Sequence, residues 1–256
     1  VFALAGLLLS GCAVEDIPTC EGVIGAIMES DNTRTSVTDK GIFTWSEGDQ
    51  IWLETTSGCT VGTLSSGAGT SNAMFSYGGF LGEITGKSVY PYYEEHSISG
   101  NKLSVYLPSS YDLETSLENT NAIMYGVKSG NNIRFNHLAG VMRFVFRNAP
   151  VGTDSFSLTL DKKINGIFYA DLNATLPIVS AENTSVDSEK TVTLNFDPLA
   201  EVSDICLYVP LPVGTYNTLG ISLKAGSKSV WNYSNTVTNS ISRKTLKLMP
   251  VVTIGG

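Results

Sequence analysis

Ile133-Arg134-Phe135-Asn136-His137-Leu138-Ala139-Gly140-Val141-Met142-Arg143-Phe144-Val145-Phe146-Arg147 is the stretch from which the fold is read. Along a strand, successive side chains point to opposite faces. Leu138, Met142, Phe144 and Phe146 share one face, which reads as core. The other face mixes Phe135, Ala139, Val141 and Val145 with Arg143 and Arg147, as at a domain junction or a bulge near Gly140. Outward from this stretch, short apolar or alternating runs recur between Gly, Asn, Ser and Asp turn clusters. Towards the C-terminus they are 155–161, 167–172, 190–196, 204–210, 220–225, 229–233 and 245–254. Towards the N-terminus they are 23–28, 35–37, 42–45, 50–55, 73–77, 88–92, 102–107 and 122–127. Residues 110–120 alone have a pattern compatible with a short helix. Sixteen strands exceed one ordinary sandwich, so the spacing predicts two antiparallel β-sandwich domains in tandem. The densest central turn cluster, Lys128-Ser129-Gly130-Asn131-Asn132, divides them into 22–130 and 131–256.

Composition agrees with an all-β chain. Hydrophobic residues make up 42% of the 256 and charged residues 16%, too apolar for disorder. Serine and threonine together number 54, which favours strands and turns over long helices. A net charge of −8 and a pI near 4.8 have the wrong sign for tracking a phosphate backbone, so nucleic acid is not an expected partner.

The first twelve residues look like a lipoprotein signal. Val1–Leu9 is a short uncharged apolar run leading into Leu9-Ser10-Gly11-Cys12, which resembles a bacterial lipobox. Residues 1–11 are then a signal peptide lacking its basic N-terminal part, and 12–21 a tether. The Cys12 thiol would carry diacylglycerol and further acyl chains such as palmitate, the only modification expected. Two or more acyl chains give stable anchoring, here to the outer membrane. Glu15 and Asp16 resemble a surface-export signal, though a plain solvated tether reads equally well. Of the remaining cysteines, Cys206 reads as a buried strand position, and a Cys20–Cys59 bridge is one option that spacing alone does not establish.

Several ordered phrases resemble the fimbrillin family, the subunits of type V pili and related surface lipoproteins of Gram-negative anaerobes. They are Thr33-Arg34-Thr35, Phe43-Thr44-Trp45-Ser46-Glu47-Gly48-Asp49-Gln50-Ile51, Val89-Tyr90-Pro91, Phe135 to Val141, Tyr208 to Tyr216, and Arg243-Lys244-Thr245-Leu246. The resemblance implies transthyretin-like sandwiches, lipoprotein export and assembly by β-strand exchange with other pilus subunits. It makes 23–28, with Val23, Ile24 and Ile27, a removable first strand and Arg34 the candidate processing site. The candidate donor strand is 248–254, with Leu248, Val251, Val252 and Ile254, although Pro250 would interrupt its ladder. Stalk and anchor roles both remain open. The Glu47-Gly48-Asp49 turn is expected to be capped by Asp49 as a folding element.

Catalytic patterns are not found. His96 and His137 are the two histidines, 41 residues apart, and no metal-ligand spacing exists. His137 reads as a packed strand histidine, Glu94-Glu95-His96 as a solvated loop, and Glu114 and Glu118 as surface charge. No enzyme activity and no metal are expected. The alternative to a fibre subunit is a solitary adhesive lipoprotein that binds host proteins or glycans. Its sugar platform would be Tyr90, Tyr92 and Tyr93, or Trp231 and Tyr233.

Overall fold

The computed structural model describes residues 20–29, 43–80, 82–113 and 122–255, and among these are twenty-one strands and no helix. In the first half run β1 (Cys20–Met28), β2 (Gln50–Thr55), β3 (Gly58–Ser66), β4 (Asn72–Phe80) and β5 (Ile84–Tyr90). Next come β6 (Ser97–Ser99), β7 (Lys102–Leu107), β8 (Ser110–Asp112), β9 (Met124–Ser129) and β10 (Asn132–His137). The second half supplies β11 (Gly140–Ala149), β12 (Ser155–Leu160), β13 (Gly166–Asp171), β14 (Thr191–Asn195), β15 (Ser203–Leu211) and β16 (Gly214–Tyr216). The chain closes with β17 (Leu219–Ala225), β18 (Lys228–Asn235), β19 (Asn239–Ile241), β20 (Leu246–Leu248) and β21 (Val252–Thr253).

Seven strands close into a barrel in the order β1-β10-β9-β5-β2-β3-β4, a closed form where an open sandwich was expected. Closure leaves no unpaired edge. Inside it, Trp45 stands edge-on to Phe75, Tyr90 and Phe135, with ring centroids 5.0, 5.2 and 5.4 Å away. Strand β3 has no counterpart among the expected strands, because its one buried residue is Gly62. A Cβ there would lie 2.9 Å from Ile51 Cγ1, so the barrel wall is packed too closely for the apolar alternation that marks a strand.

A second core lies between two sheets, β15-β11-β20 with β21, and β18-β17-β12-β14-β8. Met142, Phe144 and Phe146 of β11 meet Phe156, Leu158, Val192 and Leu223 there. A three-stranded sheet, β13-β7-β6, covers the outside of the barrel. Its Leu103, Val105, Phe168 and Ala170 pack on Trp52, Val89 and Tyr125.

The stretch 133–147 is one expected strand that the structure divides. Ile133 and Phe135 belong to the barrel core, Leu138 and Ala139 to the cluster under the three-stranded sheet, and Met142, Phe144 and Phe146 to the sandwich core. The chain crosses between bodies at Leu138-Ala139. The Lys128–Asn132 turn, expected to separate two domains, instead closes the β9–β10 hairpin inside the barrel, with Gly130 at φ 63°. A left-handed glycine serves a hairpin as readily as a linker. Gly140 follows the crossing. A Cβ there would lie 2.5 Å from the Ser242 carbonyl oxygen and 2.6 Å from Ile241 Cγ2, so only glycine admits the 241–245 segment. The mixed outer face of β11 is explained as well. Arg143 Nε donates to Cys206 Sγ at 3.0 Å and the guanidinium lies 5.9 Å from the Tyr208 ring centroid. Cys206 is thus half-buried on an outer face, not in the core.

Two further expectations are corrected. Ser110–Asp112, placed at the start of a short helix, is strand β8, paired in parallel with β14 so that Tyr111 enters the sandwich core. Residues 43–46 form no strand; they lead into the turn that Asp49 caps.

Candidate functional site

Strand β1 occupies a slot between β10 and β4. It pairs in parallel with β10, from Gly25↔Asn132 to Met28↔Phe135, and antiparallel with β4, where Ile24 faces Phe75 and Ile27 faces Asn72. Ile24, Ala26 and Met28 point into the barrel core, whereas Val23 is 57% exposed and Ile27 half-buried on the outside. Removing this strand would bare two sheet edges and the apolar pocket beneath it.

The end of β1 is clasped to the C-terminal region. Arg243 Nη1 and Nη2 donate to Glu29 Oε2 at 2.6 Å and Oε1 at 2.9 Å, a bidentate pair joining residues 214 apart in sequence. Arg243 Nη1 also donates to the His137 carbonyl at 3.2 Å, and the His137 amide donates to Glu29 Oε2 at 3.2 Å. Lys244, held at φ 61° with its amide on the Ala139 carbonyl, brings a second positive charge to 3.8 Å. Burial alone would raise the Glu29 pKa. The Arg243 hydrogen bond, the Arg243 and Lys244 charges and the His137 amide outweigh it and hold the carboxyl below its ordinary value.

Beyond the clasp the C-terminal segment lies in parallel on β11. Val141 faces Leu246, Arg143 faces Leu248, and after a break at Pro250 Phe146 faces Val252. Leu248 is 60% exposed and Val251 is exposed, while Ile254 is buried, its amide donating to the Arg147 carbonyl at 3.0 Å. The residues proposed as a donor strand are seated in their own chain. Between Phe144, Phe146, Ile221 and this segment lies an apolar cavity of about 320 Å³, with Trp231 and Tyr233 stacked at 6.0 Å along its wall. Trp231 is half-buried against Phe146, whereas Tyr233 is 47% exposed, so this pair reaches the surface at the mouth of the cavity. Tyr90 of the other expected platform is buried in the barrel core. Cys12, Arg34, Glu114 and Glu118 lie outside the described residues.

The titratable groups serve packing. Glu94-Glu95-His96 was expected in solvent, but His96 is buried. Its Nε2–H donates to the Pro91 carbonyl at 3.0 Å and its Nδ1 accepts the Tyr106 amide at 3.1 Å, one neutral tautomer with both nitrogens bonded. Burial lowers its pKa to about 4, against the opposing Pro91 hydrogen bond. His137 packs 4.5 Å from the Phe43 ring. Asp49 accepts the Ser46 amide at 2.7 Å and the Tyr90 hydroxyl at 3.0 Å, and burial raises its pKa to about 6 despite both bonds. Among the described residues no group of three or more His, Cys, Asp or Glu could hold a metal. Cys59 is an exposed free thiol, so the Cys20–Cys59 bridge is not formed.

Comparison with known proteins gives a likeness of fold. A solved structure of a candidate cell adhesion protein from Bacteroides ovatus aligns over 91% of this chain and 92% of its own, with a TM-score of 0.50 at 10% sequence identity. The shared property is the all-β architecture. Candidate cell adhesion proteins from Bacteroides thetaiotaomicron and Bacteroides fragilis align over 91% and 90% of this chain, and 92% and 90% of theirs. Their identities are 12% and 9% and their TM-scores 0.37 and 0.38. No protein-family model matches the sequence, and no curated protein matches it.

Proposed function

We propose that this protein is a non-enzymatic, fimbrillin-like surface lipoprotein. It serves adhesion as a structural or anchoring subunit of a pilus built by strand exchange, with barrel and sandwich as its two transthyretin-like units. The carrying observation is the seat of β1, an amphipathic strand filling a slot between β4 and β10, with Arg34 a few residues after its end. Cleavage at Arg34 would free that strand for replacement by an equivalent strand from another copy, main-chain bonds giving affinity and side-chain pockets register. The lipobox at Cys12 supports anchoring to the outer membrane, and the likeness in fold to the Bacteroides ovatus cell adhesion candidate supports the adhesive role.

A second reading, a solitary adhesin, is favoured by the seating of residues 246–254 on their own β11. Brief digestion with an Arg-specific protease, followed by mass measurement and an unboiled denaturing gel, separates the two. A cut at Arg34 with a ladder of SDS-resistant oligomers, absent in Arg34→Ala, is the expected result. An uncut or cut monomer removes the stalk role. Cys12→Ala is expected to abolish labelling by a fatty-acid analogue in cells, and persistent labelling would refute the anchor.

A further inference from the structure

We propose that the outer face of the β7–β13 ladder is a binding groove for a neutral saccharide chain, an inference that rests on the adhesive part of the reading above. The inner residues of these strands are buried on the barrel, so their alternates Lys102, Ser104 and Tyr106, with Ile167, Tyr169 and Asp171, face away from it. The chain after β13 folds back to wall this face. The Tyr169 amide donates to the Asn183 carbonyl at 3.0 Å, Asn183 Nδ2 donates to the Tyr169 carbonyl at 3.0 Å, and the Ser185 amide donates to the Ile167 carbonyl at 2.8 Å. The wall is therefore fixed by backbone bonds and not only by side-chain contact.

Two concavities result, of about 510 and 400 Å³, and Tyr169 lines both. Each falls within the size range of small-molecule sites, about 300–1,000 Å³. The larger has Tyr106 and Tyr169 on its floor with Asp187 and Glu189 on its rim; the smaller carries Lys102 and Asp171. The Asp187 and Glu189 carboxylates make no side-chain hydrogen bond to the described residues, so their acceptor oxygens are available to a ligand.

The chemistry of the lining selects the ligand class. Three carboxylates face one ammonium, which disfavours phosphates, uronates and other anions. That ammonium is already engaged, with Lys102 Nζ 3.5 Å from the Tyr169 ring centroid. So polar a rim also suits a lipid poorly, since an apolar chain would desolvate carboxylates without bonding to them. A neutral polyhydroxylated ring satisfies both surfaces. Its hydroxyls donate to the carboxylates, and its C–H face lies on the negative face of a tyrosine ring.

The test is saturation-transfer NMR on the full chain, with the methyl glycosides of glucose, galactose, mannose and N-acetylglucosamine as probes and galacturonate as the anionic control. The expected result is transfer to at least one neutral probe and none to galacturonate. Asp187→Asn, an exposed change that leaves the fold intact, should cut the signal severalfold, and Tyr169→Ala should cut it at least fivefold while Tyr169→Phe retains it. Absence of transfer to all four probes, or transfer unchanged in both Asp187→Asn and Tyr169→Ala, overturns the groove. Strand exchange is read separately by the protease ladder, so a chain that ladders without transfer loses only the groove. One that transfers without laddering keeps the groove and loses the fibre.

Discussion

Arg243→Met tests whether the two ends of the chain are energetically one unit. The substitution keeps the apolar stem and removes both hydrogen bonds to Glu29 and the one to the His137 carbonyl. The pair is largely shielded, with side chains 18% and 17% exposed. An exposed ion pair contributes about 0.2–1 kcal/mol, whereas removing one partner of a buried pair costs about 3–5 kcal/mol. Lys244 and the His137 amide remain near the orphaned carboxylate, which places the loss at about 2–3 kcal/mol. Since each 1.4 kcal/mol is tenfold, local opening should rise by about 30- to 150-fold. Hydrogen exchange followed by mass spectrometry is the assay, with urea unfolding of wild type, Arg243→Met, Glu29→Gln and the double variant alongside. Faster exchange is expected both in 20–29 and in 246–254, while β12 and β17 stay protected. The double-mutant cycle should show a coupling of about 1–2 kcal/mol. The Glu29 pKa is depressed, so its contribution is complete above the ordinary carboxylate value of 4.5 and fades as pH falls through the lower folded value. Arg243→Met should lose that acid dependence. Exchange that quickens in only one segment, or additive single effects, would refute the coupling.

Two other perturbations probe the fold beneath the site. Gly140→Ala puts a methyl against the Ser242 carbonyl and Ile241, and is expected to cost about 2–3 kcal/mol in urea unfolding; an unchanged midpoint would mean that 241–245 yields freely. For His96, the folded ring is neutral down to about pH 4, while the unfolded chain takes up its proton near 6.5. Wild-type stability is therefore expected to be complete above pH 6.5 and to fall as pH drops towards 4. His96→Gln should flatten that slope in urea midpoints measured at pH 7 and 4.5, whatever its effect at neutral pH.

The sequence disclosed alternation and concealed closure. Strands such as β7, β12 and β17 are legible because their buried residues recur at a period of two. Strand β3 is not, because Gly62 occupies its inward position. Residues 133–147 read as one strand because β10 and β11 keep the alternation on both sides of a crossing that needs only Leu138-Ala139. His96 looked solvated beside two glutamates, and nothing local tells that the Tyr106 amide and the Pro91 carbonyl bracket its ring. Arg243-Lys244-Thr245-Leu246 stands out as a phrase, yet Glu29, the partner of Arg243, lies too far along the chain for any periodicity to reveal it. The β7–β13 face is not legible because part of its lining, Ser185, Asp187 and Glu189, comes from a loop without apolar pattern.

The parallel seats of β1 and of the C-terminal segment also govern the order of folding. Gly25 meets Asn132, and Val141 meets Leu246, across loops of about a hundred residues each. Closing such loops costs entropy before any ladder bond repays it, and topologies of this kind fold slowly. A chain growing from its N-terminus can seat β1 against β4 once residue 80 has emerged, but it waits for β10 with one edge bare. During that interval the barrel is an open sheet, and the edge left bare is that of β1 itself.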